Sequence, residues 1–117
     1  MSGPKRTRLP DRRPSISERR TWRQATGQEF RFHVTVGFAP TPTSSVPLEV
    51  FLRPAGQRWG SFLQEIADDV GEMLSLLLQH GHALADLRAR FKPGSLAHAV
   101  VGWIAEIDRG PAAEAPT

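Results

Sequence analysis

Four histidines, twelve carboxylates and no cysteine define the chemistry open to this chain of 117 residues. A zinc site needs three or four ligands that converge with matching geometry. His33, His80, His82 and His98 offer no such spacing: His80 and His82 flank Gly81, and His33 falls on the polar side of a strand. His80 is accounted for by its place at a helix end, where an imidazole interacts favourably with the last carbonyls. Asp68, Asp69 and Glu72 form an acidic patch on the outer side of a helix, and no nucleophile elbow accompanies any serine. Without a thiol the chain holds no disulfide, thiolate zinc site, redox pair or thiyl radical. The expectation is a protein with no catalytic residue, no metal and no cofactor, which holds other molecules without transforming them.

Two groups of residues suit anions. The segment Arg53–Ser61 leads from a strand end into a helix N-terminus, where free backbone amides and the helix dipole attract negative charge. Arg53 and Arg58 add charge, Gly56 and Gly60 let backbone approach a phosphate, and Ser61 supplies a hydroxyl. The alternative is structural: Ser61 caps the helix, the arginines are solvated and Trp59 covers the core edge. No Walker-type spacing accompanies these glycines.

The second group is the N-terminus. Residues 1–24 carry eight Lys and Arg against Asp11 and Glu18, a net charge of +6, whereas the remaining 93 residues carry −3. Arg12, Arg13, Arg19 and Arg20 suit the phosphates of an acidic polymer, and Trp22 can stack on a base. Against this stand the missing repeated aromatics of a single-strand binder and the absence of a helix-turn-helix or zinc-finger signature. An arm of this composition also serves as a solubilising lead, or as a peptide that orders on an acidic partner. With Pro4, Pro10 and Pro14 and little apolar material, residues 1 to about 18 are expected to be disordered in isolation.

Strands must position the first of these residues. Thr21–Ala25 and Glu29–Phe38 read as two strands joined through Gly27. In the second, Phe30, Phe32, Val34 and Val36 alternate with Arg31, His33 and Thr35, a period of two that separates apolar from polar faces. The proline-rich stretch Ala39–Pro47 reads as a loop, and Leu48–Arg53 as a third strand. Periodicity then becomes helical. Phe62, Leu63, Ile66, Val70, Met73, Leu74 and Leu77 follow i, i+3, i+4 spacing, with Ser61 as N-cap and Gly81 as the left-handed C′ residue. A shorter helix spans Leu84–Phe91, and Ser95 caps a last one bearing Leu96, Val100, Trp103, Ile104 and Ile107. Strands followed by helices argue an α+β fold: a three-stranded antiparallel meander with three helices on one face.

The long helix carries more apolar surface than one stripe needs. Leu76 or Leu78 is left for a homodimer contact or a protein partner, unless the last helix covers them. The longest apolar run, Met73–Leu78, is interrupted by Ser75 and falls far short of the ~20 residues that span a bilayer. The basic N-terminus has no apolar stretch behind it, as a secretory signal would. A cytoplasmic protein is expected.

Several segments together carry a resemblance. Val34-Thr35-Val36-Gly37-Phe38, Leu48-Glu49-Val50-Phe51-Leu52, Gly60-Ser61 and Leu74-Ser75-Leu76-Leu77-Leu78-Gln79-His80-Gly81 stand in that order. In this the chain resembles the TSCPD domain, found near the C-terminus of cobalamin-dependent ribonucleotide reductases and as short free-standing bacterial proteins. The free-standing members often begin with a segment similar to Arg8–Ser15, and the likeness covers roughly Arg8–Ile107. It departs from the reductase-linked pattern Gly-Lys-x-Gly-Ser-Cys, with Gln57 for the lysine and Phe62 for the cysteine. The resemblance implies an association with nucleotide reduction or its control. It does not imply reductase chemistry, because ribonucleotide reduction needs a thiyl radical and a dithiol.

These readings give an arm over 1–19, an α+β domain over 20–109 and a flexible tail over 110–117. The expected function is a binding or regulatory module of nucleotide metabolism. The alternatives are a nucleic-acid-associated accessory protein acting through its arginine-rich arm and a structural assembly subunit.

Overall fold

Alternation in the central strand decides the architecture. In a computed structural model that describes residues 15–40, 45–55 and 60–114, Phe32, Val34 and Val36 are fully buried while Arg31 is exposed. Their strand, β2 (Glu29–Pro40), lies between β1 (Ser15–Arg23) and β3 (Ser45–Pro54) in an antiparallel meander. Helices α1 (Gly60–Gln79), α2 (Leu84–Arg90) and α3 (Leu96–Glu114) follow, as the α+β reading expects. The β1–β2 turn closes through hydrogen bonds from Gly27 N–H to Gln24 O and from Gln24 N–H to Gln28 O, both 2.8 Å. Gly27 has φ +95°, the left-handed position that completes a three-residue hairpin loop.

Three strand boundaries move outward from their expected places. β1 starts at Ser15, so Ser15–Arg19 are paired with Gly37–His33 rather than part of a disordered arm. Main-chain pairing does not depend on apolar composition, which is why a polar segment joins the sheet; the Ser17 and Thr35 hydroxyls bond across it at 2.8 Å. β2 also runs on to Pro40 and β3 begins at Ser45, inside the expected loop. A register shift at Gly37/Phe38 lets Pro47 and Leu48 both be buried opposite Phe38, and a bulge or a strand end is where proline is tolerated.

The core lies between the Phe32–Val36 face and the helices. Val100, Val101, Trp103, Ile104 and Ile107 of α3 close it, with the Phe32 and Trp103 rings 6.2 Å apart and tilted by 45°. α1 packs on β3 through Leu63, Ala67, Gly71, Leu74, Ser75, Leu78 and Gln79, all buried. This is not the whole expected stripe: Phe62 and Met73 are 74% and 56% exposed. Small residues let the helix come close to the strand, and a Cβ on Gly71 would lie 3.1 Å from the Val50 carbonyl oxygen. The Val50 N–H donates to Ser75 Oγ at 2.9 Å, and Gln79 Nε2 donates to the Leu48 carbonyl at 2.9 Å. Two side chains of α1 thereby occupy the free edge of β3, which would otherwise offer a template for another strand.

Helix ends follow their signals with two exceptions. The Gly81 N–H bonds to Leu78 O at 3.0 Å and the His82 N–H to Leu77 O at 3.1 Å, the paired bonds of a Schellman end with Gly81 at φ +92°. Ser95 caps α3, its Oγ accepting from the His98 N–H at 3.2 Å. Ser61, by contrast, stands inside the first turn of α1, which begins at Gly60. α3 also continues to Glu114 through residues expected as tail, where Ala112 and Ala113 favour helix.

Candidate functional site

The second face of the sheet collects the polar alternates of all three strands. Register sets Arg19 opposite His33 and His33 opposite Arg53, so these three side chains form a row across β1, β2 and β3. Ser17, Thr35 and Phe51 form the neighbouring row, and Thr21 stands opposite Arg31. Strands about 4.8 Å apart place the outer two members of a row roughly 10 Å from each other. Arg19, Arg31 and Arg53 are exposed, His33 is half-buried between its neighbours, and Phe51 presents 58% of its surface.

Electrostatics separate this face from the other. Among the described residues none of Arg19, Arg31 and Arg53 has a carboxylate partner. Arg23 pairs with Glu29 at the hairpin end. Toward the outer edge of β3 the sign reverses: Glu49, opposite Gly37 on this same face, joins Asp68 and Glu72 in the walls of a groove of about 450 Å³ between that strand and α1. Among the described residues, arginines without carboxylate partners are therefore gathered on this face of the sheet.

Arg20, chosen with Arg19 as a candidate for an acidic polymer, is turned to the helices instead. Its guanidinium bonds Glu18 on its own strand and Glu106 on α3. Partial burial works to lower its pKa, and the hydrogen bonds and charges of Glu18 and Glu106 outweigh that and raise it. Trp22 shares this orientation. Its indole N–H donates to the Gly94 carbonyl at 3.0 Å and its ring lies 5.6 Å from that of Phe30, so it closes the core rim rather than offering a face to a base. Arg12, Arg13 and Arg58 lie outside the described residues, and of Gly60 and Ser61 only the backbone is described. Arg53 belongs to the sheet row with His33 rather than standing apart as the flank of a loop.

Arg31, His33 and Phe51 had no place among the candidate residues. The period-two pattern already put Arg31 and His33 on the polar side. What was missing was register, which shows that Arg19 and Arg53 share that side with them. A third region, the groove between α2 and α3, holds Arg88, His98, Asp108 and Arg109 beside Leu84, Phe91 and Val101. Desolvation by partial burial raises the pKa of Asp108 there. The described residues include no group of three or more His, Asp or Glu placed to hold a metal ion. None of their helices is long and apolar enough to cross a membrane. No family model, curated protein or solved structure matches the chain.

Proposed function

We propose that this protein is a non-catalytic binding module of nucleotide metabolism, and that it takes the phosphates of its ligand on the open face of the sheet. The observation that carries the reading is the Arg19–His33–Arg53 row with Arg31 beside it, three exposed arginines without carboxylate partners among the described residues. Arginine presents a planar fork of donors suited to phosphate oxygens, and held on adjacent strands three such forks address one ligand together. The resemblance to the TSCPD domain supplies the metabolic setting, an association with ribonucleotide reduction or its control. No thiol is needed for that role, and the chain has none.

Protein contact is a second component of the reading. Phe62, Met73 and Leu76 are exposed on α1, 74%, 56% and 39% respectively, and their spacing places them on one side of that helix. Such a stripe suits a reductase subunit or a second copy of the chain. The test of the principal reading is calorimetric titration of the full chain with ATP and with ADP, repeated on Arg19→Glu/Arg53→Glu. Binding by the native protein that the double variant loses is expected. Heat absent for both nucleotides, or equal for native protein and variant, contradicts the reading.

A further inference from the structure

We infer that a second copy of this chain pairs antiparallel with the outer edge of β1, about a two-fold axis at Arg19, and joins two three-stranded sheets into one of six strands. The two edges of the sheet differ. Along β3, Ser75 and Gln79 of α1 take main-chain groups of Val50 and Leu48. Along β1 no described element pairs with the outer side, and the register with β2 runs from Ser15 to Arg23 without a bulge. Such an edge is a template for another strand, and β1 carries no proline or lysine to blunt it.

Hydrogen bonding fixes which groups that edge offers. The Gln24 N–H donates to Gln28 O, and bonded pairs alternate along an antiparallel ladder, so the even residues of β1 bond to β2. Main-chain groups of Ser15, Ser17, Arg19, Thr21 and Arg23 therefore point outward. An axis at Arg19 sets Ser15 opposite the partner's Arg23, Ser17 opposite the partner's Thr21 and Arg19 opposite the partner's Arg19, which pairs every one of those groups. The even side chains then meet at the closer, non-bonded positions, with Cα atoms about 4.5 Å apart. Glu18 faces the partner's Arg20, and Ile16, 40% exposed, faces the partner's Trp22; the symmetry makes each contact twice. Arg20 also bonds Glu18 of its own strand, so charge alternates across the axis. An axis one residue to either side would instead set Glu18 against the partner's Glu18, or Arg20 against the partner's Arg20.

The register's one like-charge contact is Arg19 against the partner's Arg19, on the open face and at the wider pair, about 5.5 Å between Cα atoms. There the two Arg19–His33–Arg53 rows become one row across both copies. An anion held between the two guanidinium groups offsets their repulsion. Phosphate should therefore tighten the pair, a consequence that rests on the phosphate-binding reading above, whereas the pairing itself does not.

The experiment is sedimentation equilibrium of the full chain over a wide concentration range, with amide hydrogen exchange at its two ends. A mass rising from 12.9 kDa to twice that value is expected. The amides of Ser17, Arg19, Thr21 and Arg23 should slow as the dimer forms, while those of Ile16, Glu18, Arg20 and Trp22 are slow throughout. Thr21→Pro removes an outward donor without touching the ladder to β2, and should weaken the dimer about tenfold or more. Glu18→Arg alone and Arg20→Glu/Glu106→Gln alone should each weaken it about tenfold, and an equimolar mixture of the two should restore it, because each new charge meets its opposite. Thermal unfolding of each variant reports its fold. A mass of 12.9 kDa throughout overturns the inference. So does a dimer indifferent to Thr21→Pro, or a mixture of the charge variants no tighter than either alone. A dimer weakened by Met73→Glu and not by Thr21→Pro overturns it by giving the second copy to the α1 stripe. Phosphate, added at constant ionic strength, should tighten the dimer several-fold. A dimer that phosphate loosens or leaves unchanged overturns the joined row and leaves the pairing standing; calorimetry with ATP judges the phosphate reading separately.

Discussion

Arg19 and Arg20 are neighbours in β1 and have opposite fates. Arg20 faces the helices and is bound by Glu18 and Glu106, tying the first strand to the last helix. Arg19 faces away, in line with His33 and Arg53 and with no carboxylate partner among the described residues. The same residue type is structural on one side of the sheet and available on the other. The difference comes from strand alternation alone, which turns consecutive side chains to opposite faces. One face has its apolar groups buried, with Arg20 and Trp22 engaged by Glu106 and Gly94. The other presents Arg19, Arg31 and Arg53 to solvent, within reach of an anionic ligand.

Stability measurements test this contrast most strongly at Phe32 and Arg31, adjacent residues on opposite faces. Phe32→Ala removes a fully buried ring from the core and should cost about 3–5 kcal/mol in denaturant unfolding. Arg31→Ala should stay within about 0.5 kcal/mol of the native protein. Comparable losses at the two positions would mean that the open face is not open.

Ser75→Ala is next in size. It leaves the Val50 N–H on the edge of β3 without its acceptor, and a loss of about 1–3 kcal/mol is expected. Faster hydrogen exchange at the Val50 amide would show that the edge itself has been freed. Arg20→Ala should cost about 0.2–1 kcal/mol and Arg19→Ala nothing measurable, while for an anionic ligand the order of their effects reverses. A stability loss at Arg19 equal to that at Arg20 would remove the distinction between the two faces.

The smallest expected effect concerns Asp108. Burial raises its pKa in the folded chain, so the fold favours its protonated form. The contribution to stability is full below the ordinary carboxylate pKa and is lost as pH rises through the raised one. At neutral pH Asp108→Asn should therefore stabilise slightly, by less than about 0.5 kcal/mol, and that gain over the native protein should disappear as pH falls below the ordinary carboxylate pKa. A gain that grows as pH falls would contradict that sign.

Much of the fold could be read from residue spacing, and the exceptions have physical causes. Alternation over Phe30–Val36 identified β2 and its two faces, and Gly81 and Ser95 marked helix ends, because these signals are local. The start of β1 was not readable, since Ser15–Arg19 are held by backbone pairing to β2, to which composition is blind. Nor was the bulge at Gly37/Phe38, which draws Pro47 into the sheet. On α1, apolarity misled at Phe62 and Met73: the buried side of that helix is built from Ala67, Gly71 and Ser75, small enough for close approach to β3. For the candidate site, the arginines were visible individually. Their division into Arg20, engaged, and Arg19 with Arg53, free, depends on register and on a carboxylate 86 positions away from Arg20, neither of which is a local property.

Amide chemical-shift mapping of the isotope-labelled full chain during titration with ATP locates the phosphate site on the molecule. If the open sheet face holds the phosphates, the largest shifts fall at Arg19, Arg31, His33 and Arg53, with α1 and α3 nearly unmoved. Shifts concentrated on α1, or confined to residues before Ser15, would contradict it.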